Sequence, residues 1–336
     1  MPSERAGPEP EPDDESRIRH VEELVLGPAV YTGRELADAT GMVFEEAERL
    51  WVELGFPPIA PDVRCFTEFD AEVLRNVAEF RGWEVVGFED IVGMTRVLGQ
   101  AMARAAGAQA RLTLTGAETL EADQAPGVGG TGTEALDAAV RLGLEVSERF
   151  VDYVWRRHLA AALRRALDPR PTEVVGFADI VGYTRLSSTM ARPELEALLG
   201  RLQHAATVEV TRRGGQVVKL IGDAVLFVVP DAPSAARAAL GIRDQLAEDG
   251  SAPPVRVGLA MGPLVHLEGD VYGDTVNRSS RIAELARPDT VLADDAVAGA
   301  VEDSPDVVAR AVRPHRLKGI GMTRCWVLRR ATHDRR

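Results

Sequence analysis

The sequence predicts an α+β protein in which a helical N-terminal half precedes a mixed C-terminal half. From Thr172 onward, segments of strand length rich in β-branched residues alternate with segments of helical periodicity. Between Arg17 and Leu167 the pattern is helical, with one glycine-rich interruption from Pro126 to Gly132. At 336 residues the chain is long enough for two domains, each with a core of its own.

The composition is typical of a globular protein, with 45% hydrophobic and 27% charged residues. A net charge of −13 argues against a general nucleic-acid binder, which normally presents a basic face. Cys65 and Cys325 fit no metal-ligand spacing, so we expect reduced thiols. No apolar run approaches the ~20 residues of a membrane span, and the N-terminus lacks a signal-peptide pattern. We therefore expect a cytoplasmic protein that does not contact a membrane.

The N-terminal half begins with a segment that is too polar to fold alone. Residues 1–16 hold four prolines and six acids, which predicts a disordered acidic leader. Residues 17–167 then form the predicted all-α regulatory or dimerisation domain. Within it, Tyr31 to Phe56 predicts two helices separated by a turn at Gly41, similar to the helix-turn-helix of some DNA-binding regulators. That segment carries six acids against two arginines, so packing or dimerisation is the favoured role.

One sequence stretch occurs twice. VVGFEDIVGMTRVL at 85–98 parallels VVGFADIVGYTRLS at 174–187, with Asp90 matching Asp179. A duplicated catalytic domain would also repeat the Ile-Gly-Asp hairpin found at 221–223, and no second copy follows. We therefore expect Asp90 to be an exposed helix residue without a catalytic role. A long helix from Glu134 to Leu167 then leads to a proline-marked linker, 168–172.

The C-terminal half, 173–330, follows the order βαββαβ before a tail at 331–336. The predicted elements are a strand at 173–180, a helix at 192–213, a hairpin at 216–229, a helix at 232–247, strands at 255–262 and 264–266, a helix at 275–286 and a final hairpin at 312–328. This order implies a partly antiparallel sheet with helices on one face. It is the ferredoxin-like, palm-type architecture.

Two acids are expected to meet in this sheet. Asp179 ends the first strand, and Asp223 occupies the tight turn of the next hairpin. Two carboxylates at neighbouring strand ends repel each other unless a cation lies between them. Mg²⁺ fits, because it prefers one or two carboxylates together with substrate phosphates.

With these residues in place, the segment 172–330 resembles the catalytic domain of class III nucleotidyl cyclases. The motifs are FADIVGYT around Asp179, VKLIGDAVLF around Asp223 and GDVYGDTVNRSSRI from Gly269 onward. The resemblance implies that Asp179, Asp223 and Ile180 hold two divalent cations, Mg²⁺ or Mn²⁺. It further implies roles for Lys219 and Asp270 in adenine recognition, Asn277 in ribose orientation, Arg281 in transition-state stabilisation, and Phe177, Gly182, Tyr183 and Thr184 in substrate binding.

The implied reaction is the conversion of ATP to 3′,5′-cyclic AMP and pyrophosphate. Because Lys219 and Asp223 flank one hairpin turn, we do not expect both to reach the same nucleotide, and the resemblance implies a homodimer with two shared sites. A guanylyl cyclase, or a catalytically weak signalling scaffold with a DNA-binding-like helix-turn-helix, remains an alternative. A diguanylate cyclase is disfavoured, because the hairpin turn reads Ile-Gly-Asp-Ala.

Two further expectations concern regulation. The arm between Gly262 and Asp270 is shorter than in many family members, so part of the dimer contact is expected to come from elsewhere. The helical half resembles, more weakly, the regulatory domain of a group of actinobacterial soluble cyclases. In that group the domain restrains catalysis, and acid pH relieves the restraint. His158, beside Arg156 and Arg157, is the candidate pH-sensitive group, with an exposed histidine of no consequence as the alternative.

Overall fold

The computed structural model describes residues 14–83, 85–123, 132–167, 172–248, 250 and 252–331. Most of the predicted leader, most of the glycine-rich loop, both linker prolines and most of the tail lie outside these residues. The chain divides into two compact units, 1–166 and 167–336. No helix in the described ranges combines the length and the apolar character that crossing a bilayer requires.

The N-terminal unit is helical with one small β-ribbon. Its elements are α1 (Asp14–Leu26), β1 (Tyr31–Thr32), α2 (Gly33–Thr40), α3 (Phe44–Glu53), β2 (Arg64–Phe66), α4 (Glu68–Gly82), α5 (Phe88–Asp123) and α6 (Gly132–Leu167). Helix α1 starts inside the segment predicted as a leader. The predicted helix-turn-helix is present as α2 and α3, and Gly41 adopts the left-handed conformation that ends α2.

Asp90 lies in the first turn of α5, where it is exposed. Its carboxylate accepts a hydrogen bond from the Gly87 backbone N–H at 3.1 Å, as an acid does near a helix N-terminus. The prediction of an exposed helix residue is confirmed.

The C-terminal unit is built on a seven-stranded sheet with the order β10-β13-β9-β6-β3-β5-β4. The strands are β3 (Glu173–Ile180), β4 (Gln216–Ile221), β5 (Ala224–Val229), β6 (Val255–Gly262), β9 (Val291–Asp294), β10 (Val307–Ala311) and β13 (Cys325–Arg330). Only β6 and β9 pair in parallel among these neighbours. The central order β6-β3-β5-β4 confirms the ferredoxin-like class.

In the described residues, two short ribbons and five helices complete the unit. The ribbons are β7 (Val265–Leu267) with β8 (Asp270–Tyr272), and β11 (His315–Leu317) with β12 (Gly321–Thr323). The helices are α7 (Tyr183–Ser187), α8 (Arg192–Thr211), α9 (Ala232–Glu248), α10 (Asp274–Leu285) and α11 (Asp295–Ala300). The predicted final hairpin is therefore an inner ribbon, β11 and β12, between the outer pair β10 and β13.

Helices cover both faces of the sheet, so the expectation of helices on one face is wrong. Helices α8 and α9 pack on the face that includes Val174, whereas α10 packs on the face that includes Val175. Helix α10 lies so close to β6 that a Cβ on Gly258 would come within 2.2 Å of the Ala283 backbone nitrogen. The buried Ser279 hydroxyl lies 2.9 Å from the Val175 carbonyl, to which it can donate. Glycine and a small hydroxyl residue thus allow close packing.

Candidate active site

The hairpin between β4 and β5 brings two carboxylates together. Asp179 pairs with Ala224 across β3 and β5, and Asp223 immediately precedes Ala224 in the turn. Gly222 has φ +61°, the left-handed conformation that a tight hairpin turn requires. Burial raises the pKa of Asp223, and the neighbouring Asp179 carboxylate raises it further. The predicted meeting of the two acids is therefore present within one chain.

Arg256 is a third charged residue at this point, and sequence reasoning missed it. It pairs with Asp179 in the register of β3 and β6, and its Nε donates to Asp179 Oδ2 at 2.7 Å. Its Nη1 donates to the Glu284 carbonyl at 2.9 Å, which links the carboxylates to the end of α10. A single arginine in the apolar strand VRVGLAMG was the available signal, but only the strand pairing shows what it faces.

The donor set fits a divalent cation that takes most of its ligands from elsewhere. Within the described residues no group of three or more histidine, cysteine or acidic side chains could enclose a metal ion. Two adjacent carboxylates remain, Asp179 and Asp223, and their mutual repulsion favours binding a cation. Mg²⁺ is commonly held in this way, with water and substrate phosphates completing its octahedral shell.

Lys219 and Asp270 form an ion pair between edge strand β4 and the β7–β8 ribbon. Asp270 Oδ1 also accepts a hydrogen bond from the Val271 backbone N–H at 2.8 Å. Burial alone would raise the pKa of Asp270, but the Lys219 ammonium and the Val271 amide outweigh it and the pKa is lowered. The structure therefore brings together the two residues expected to recognise adenine.

Asn277 and Arg281 lie four residues apart on α10 and share one face of it. Asn277 is exposed, and within the described chain its side chain makes no hydrogen bond. Arg281 Nη1 donates to the Glu284 carboxylate oxygens at 2.6 and 2.8 Å. Because 40% of the Arg281 side chain is exposed, its guanidinium is accessible to an incoming anion.

The other predicted site residues follow or belong to β3. Phe177 packs between the sheet and α10, Ile180 is buried on the opposite face, and Gly182 precedes α7 with φ +76°. Tyr183 and Thr184 lie in the first turn of α7, where backbone N–H groups have no partner within the helix. An apolar side chain cannot ligate a cation, so Ile180 has only its backbone carbonyl to contribute.

The two groups of site residues do not form one cluster in a single chain. In the described parts of the chain, no hydrogen bond or ion pair joins Asp179 or Asp223 directly to Lys219, Asp270, Asn277 or Arg281. The nearest link passes through Glu284, whose backbone carbonyl accepts from Arg256 and whose carboxylate accepts from Arg281.

Comparison with known proteins identifies the family. The adenylate and guanylate cyclase catalytic domain family matches residues 169–330. An adenylate cyclase of Streptomyces coelicolor (strain ATCC BAA-471 / A3(2) / M145) is 36% identical over 307 residues, which cover 88% of this chain and 79% of that protein. This chain belongs to the class III adenylate cyclase family.

The similarity to other adenylate cyclases extends beyond the catalytic unit. A protein of Mycobacterium tuberculosis (strain CDC 1551 / Oshkosh), named a pH-sensitive adenylate cyclase, is 30% identical over 321 residues, covering 89% of this chain and 78% of that one. Such coverage includes much of the helical N-terminal unit. Among solved structures, the catalytic core of a rhodopsin-guanylyl cyclase with converted specificity, in complex with ATPαS, is 28% identical with a TM-score of 0.44, covering 48% of this chain and 97% of that one.

Proposed function

We propose that this chain converts ATP to 3′,5′-cyclic AMP and pyrophosphate at two equivalent sites of a homodimer. The observation that carries the proposal is the close approach of Asp179 and Asp223 in a chain of this family. The two acids lie at the end of β3 and in the turn before β5 of a palm-type sheet. The nucleotide would bind the two carboxylates of one protomer and the Lys219–Asp270 pair and helix α10 of the other. Each protomer carries both sets of residues, the two carboxylates and the Lys219–Asp270 pair with helix α10, so a two-fold symmetric dimer has two sites.

In the reaction, the ribose 3′-oxygen bonds to the α-phosphorus while the bond to the bridging oxygen of pyrophosphate breaks, and the 3′-hydroxyl proton is released. Asp179 and Asp223 would hold two divalent cations, which when bound acidify that hydroxyl and neutralise phosphate charge. Arg256, which lies beside Asp179, would donate to phosphate oxygens, as would the backbone N–H groups of Tyr183 and Thr184.

Helix α10 supplies the groups that act on the reacting atoms. Asn277 has a free amide that can accept and donate hydrogen bonds to the ribose, holding the 3′-oxygen in line with the α-phosphorus. Arg281 would leave Glu284 and donate to the α-phosphate oxygens, where negative charge accumulates. Their spacing of one helical turn suits a ribose and its attached phosphate.

The ion pair between Lys219 and Asp270 favours ATP over GTP. Adenine presents an acceptor nitrogen and an amine donor along one edge, which complement an ammonium and a carboxylate respectively. Guanine reverses that pattern, so a carbonyl oxygen would meet Asp270 and an N–H would meet Lys219. Guanylyl cyclase activity is the second candidate, and competition between the two nucleotides in a purified assay distinguishes it.

We also propose that the N-terminal unit regulates catalysis in response to pH, as the name of the pH-sensitive mycobacterial relative suggests for that protein. The candidate group, His158, is exposed on α6. Arg156 donates to Asp152 at 2.8 Å, and the Arg157 guanidinium lies 5.4 Å from the centre of the Tyr153 ring. Both arginines beside His158 therefore contact side chains of the preceding helical turn.

The experiment that tests the proposed function measures cyclic AMP formed from ATP with Mg²⁺ or Mn²⁺, using Asp223→Ala beside the unaltered protein. We expect the variant to lose nearly all activity at every metal concentration, because one carboxylate cannot hold both cations. Undiminished cyclic AMP from folded Asp223→Ala would refute the assignment. Activity with GTP alone would favour the guanylyl cyclase alternative.

A further inference from the structure

Helix α10 is fastened to the sheet by polar side chains as well as by apolar packing. Thr275 Oγ1 donates to the Pro263 carbonyl at 2.9 Å, and the Ser279 hydroxyl lies within hydrogen-bond distance of the carbonyls of Val175 and Gly258. Both residues are buried. Thr275 holds the first turn of α10 against Pro263, just beyond the end of β6, and Ser279 holds the middle of the helix against β3 and β6. Each makes these contacts through one oxygen atom only.

Arg278 adds a more extensive attachment. Its Nε donates to Asp294 Oδ2 at 3.0 Å, and its Nη2 donates to the Met261 carbonyl at 3.1 Å. The Met261 backbone N–H in turn donates to Asp294 Oδ2 at 3.3 Å. Arg278 and Asp294 therefore bind both polar groups of one residue of β6. A third nitrogen, Nη1, donates to Asp274 in the first turn of α10 at 2.7 Å.

This arrangement lies where β6 and β9 stop pairing. Their parallel register ends at Leu259 and Ala293, one residue before Asp294. Beyond that point, the Asp294 carboxylate and the Arg278 guanidinium take the place of the missing strand partner. The same carboxylate caps α11, because Oδ1 accepts from the Val297 N–H at 2.9 Å.

Burial makes the pair sensitive to the position of the helix. Only 6% of the Asp294 side chain and 21% of the Arg278 side chain are exposed. A buried carboxylate is costly unless a charge and hydrogen bonds compensate it, and Arg278 provides both. The planar guanidinium forms these bonds only in one orientation, so it fixes both the rotation and the axial position of α10.

Asn277 precedes Arg278, and Arg281 follows it by three residues. A helix turns about 100° per residue, so Asn277 and Arg281 point away from the side that Thr275 and Ser279 bury. We propose that Arg278 is a positioning residue: its paired contacts with Asp294 and Met261 hold α10 so that Asn277 and Arg281 reach the ribose and the α-phosphate. The inference rests on the proposed roles of Asn277 and Arg281.

The test compares Arg278→Met and Arg278→Lys with a matched control, Arg237→Met, in the full-length protein. Arg237, in α9 on the other face of the sheet, donates as a fork through Nε at 2.7 Å and Nη2 at 3.1 Å to Asp306, which directly precedes β10. For Arg278→Met we expect kcat to fall about 10- to 100-fold while KM for ATP changes by less than about threefold, since a small misplacement of reacting groups acts on the transition state. Arg237→Met should keep its kcat, whatever its melting temperature.

Arg278→Lys keeps the charge but cannot reproduce the fork, so its kcat should also fall, at a melting temperature closer to that of the unaltered protein. Asp294→Ser retains a capping oxygen for α11 while removing the partner of Arg278. Combined with Arg278→Met, it should lower kcat no further than the worse single variant, because both remove the same contact.

A normal kcat in folded Arg278→Met or Arg278→Lys overturns the proposal, as does a fall in kcat no larger than that of Arg237→Met. If Arg278→Met does not fold, the result for Arg278→Lys decides. Asn277→Ala distinguishes this failure from that of the proposed function. If that variant is inactive while the Arg278 variants remain active, only the positioning role is wrong; if it is fully active, the assignment of α10 itself is wrong.

Discussion

Lys219 and Asp270 form an ion pair between β4 and the β7–β8 ribbon. The pair presents a donor and an acceptor side by side, and 44% of the Lys219 side chain is exposed. In the proposed site, a base that offers the complementary groups would accept a hydrogen bond from Lys219 and donate one to Asp270. A base with the opposite pattern leaves two charged groups without suitable hydrogen bonds.

The first prediction follows from this pair. Lys219→Glu combined with Asp270→Cys reverses the donor and acceptor pattern, as in guanylyl cyclases that carry Glu and a small polar residue at these positions. We expect kcat/KM for ATP to fall at least about 100-fold and GTP turnover to appear, since unpaired buried polar groups discriminate strongly. Parallel assays of cyclic AMP and cyclic GMP measure the change in nucleotide preference.

The single variant Lys219→Met is the control for the double variant, because it removes the donor without adding an acceptor. It should lose ATP turnover and gain none with GTP. Base recognition must lie elsewhere if the double variant keeps its preference for ATP.

The second prediction tests whether each site is shared between protomers. Asp223→Ala and Arg281→Ala should each be inactive alone, because each removes one half of both sites. Coexpressed in equal amounts they form mixed dimers in which one site is intact, so about a quarter of the normal activity should return with random pairing. Purification through two different affinity tags isolates the mixed dimer, which should show about half.

Combining both substitutions in one chain and mixing it with unaltered protein provides the matched comparison. That mixed dimer has one defective half in each site and should be inactive. The reverse result, with activity in this dimer and none in the mixed dimer of the two single variants, would show that each site lies within one chain and exclude a shared site.

Some contacts in this site could be predicted from the sequence, because they depend on local patterns. Others could not, because they depend on the pairing of distant strands. Asp179 and Asp223 could be placed together from the sequence, because a tight turn and two strand-length runs fix their geometry over a short span. Arg256 was missed because its position depends on the register between β3 and β6, which are 75 residues or more apart along the chain. The contact of Arg278 with Asp294 depends in the same way on how a helix settles on the sheet.

The sequence of β3 also indicates that both faces of the sheet are covered. Along β3, Val174, Val175, Phe177 and Ala178 are all buried, so the apolar run is continuous and does not alternate. A continuous run is typical of a strand buried on both faces. The prediction of helices on one face relied on element order and ignored this pattern.

The third prediction concerns Arg256, whose Nε donates to the Asp179 carboxylate at 2.7 Å. In the proposed site, that carboxylate would also be a ligand of the cation. Arg256→Met removes a competitor for the cation and a donor for the triphosphate. We expect Mg²⁺ to bind more tightly without nucleotide, while KM for ATP rises about tenfold, the value of a charge-assisted hydrogen bond. Calorimetric titration with Mg²⁺ and steady-state kinetics measure the two effects separately. Weaker Mg²⁺ binding in this variant would contradict the competition.

The fourth prediction concerns acid stability. Hydrogen bonds from Arg237, and then from Ser304, lower the pKa of Asp306 to about 2, from an ordinary value of 3.8. A carboxyl whose pKa is lowered by folding stabilises the protein above its unfolded pKa, and this contribution disappears as pH falls from about 4 to about 2. Because 45% of the Asp306 side chain is exposed, the contribution is small.

Asp306→Asn should therefore lower the melting temperature at neutral pH and have no effect near pH 2. Calorimetric scans of both proteins at several pH values should give melting temperatures that converge on acidification. A constant difference at all pH values would mean that the substitution acts through packing and not through charge.

The final prediction addresses the N-terminal unit. The catalytic unit has its own core, centred on residues such as Phe227, Leu240 and Leu259, so a shortened chain of residues 168–336 is expected to fold. If the helical unit regulates catalysis through a group such as His158, the full-length and shortened proteins should differ in their pH–rate profiles between about pH 5.5 and about pH 8, where histidine titrates. His158→Gln in the full chain should then move its profile toward that of the shortened one. Superimposable profiles for all three proteins would remove pH regulation from the helical unit, because no titrating group within it would then influence the rate.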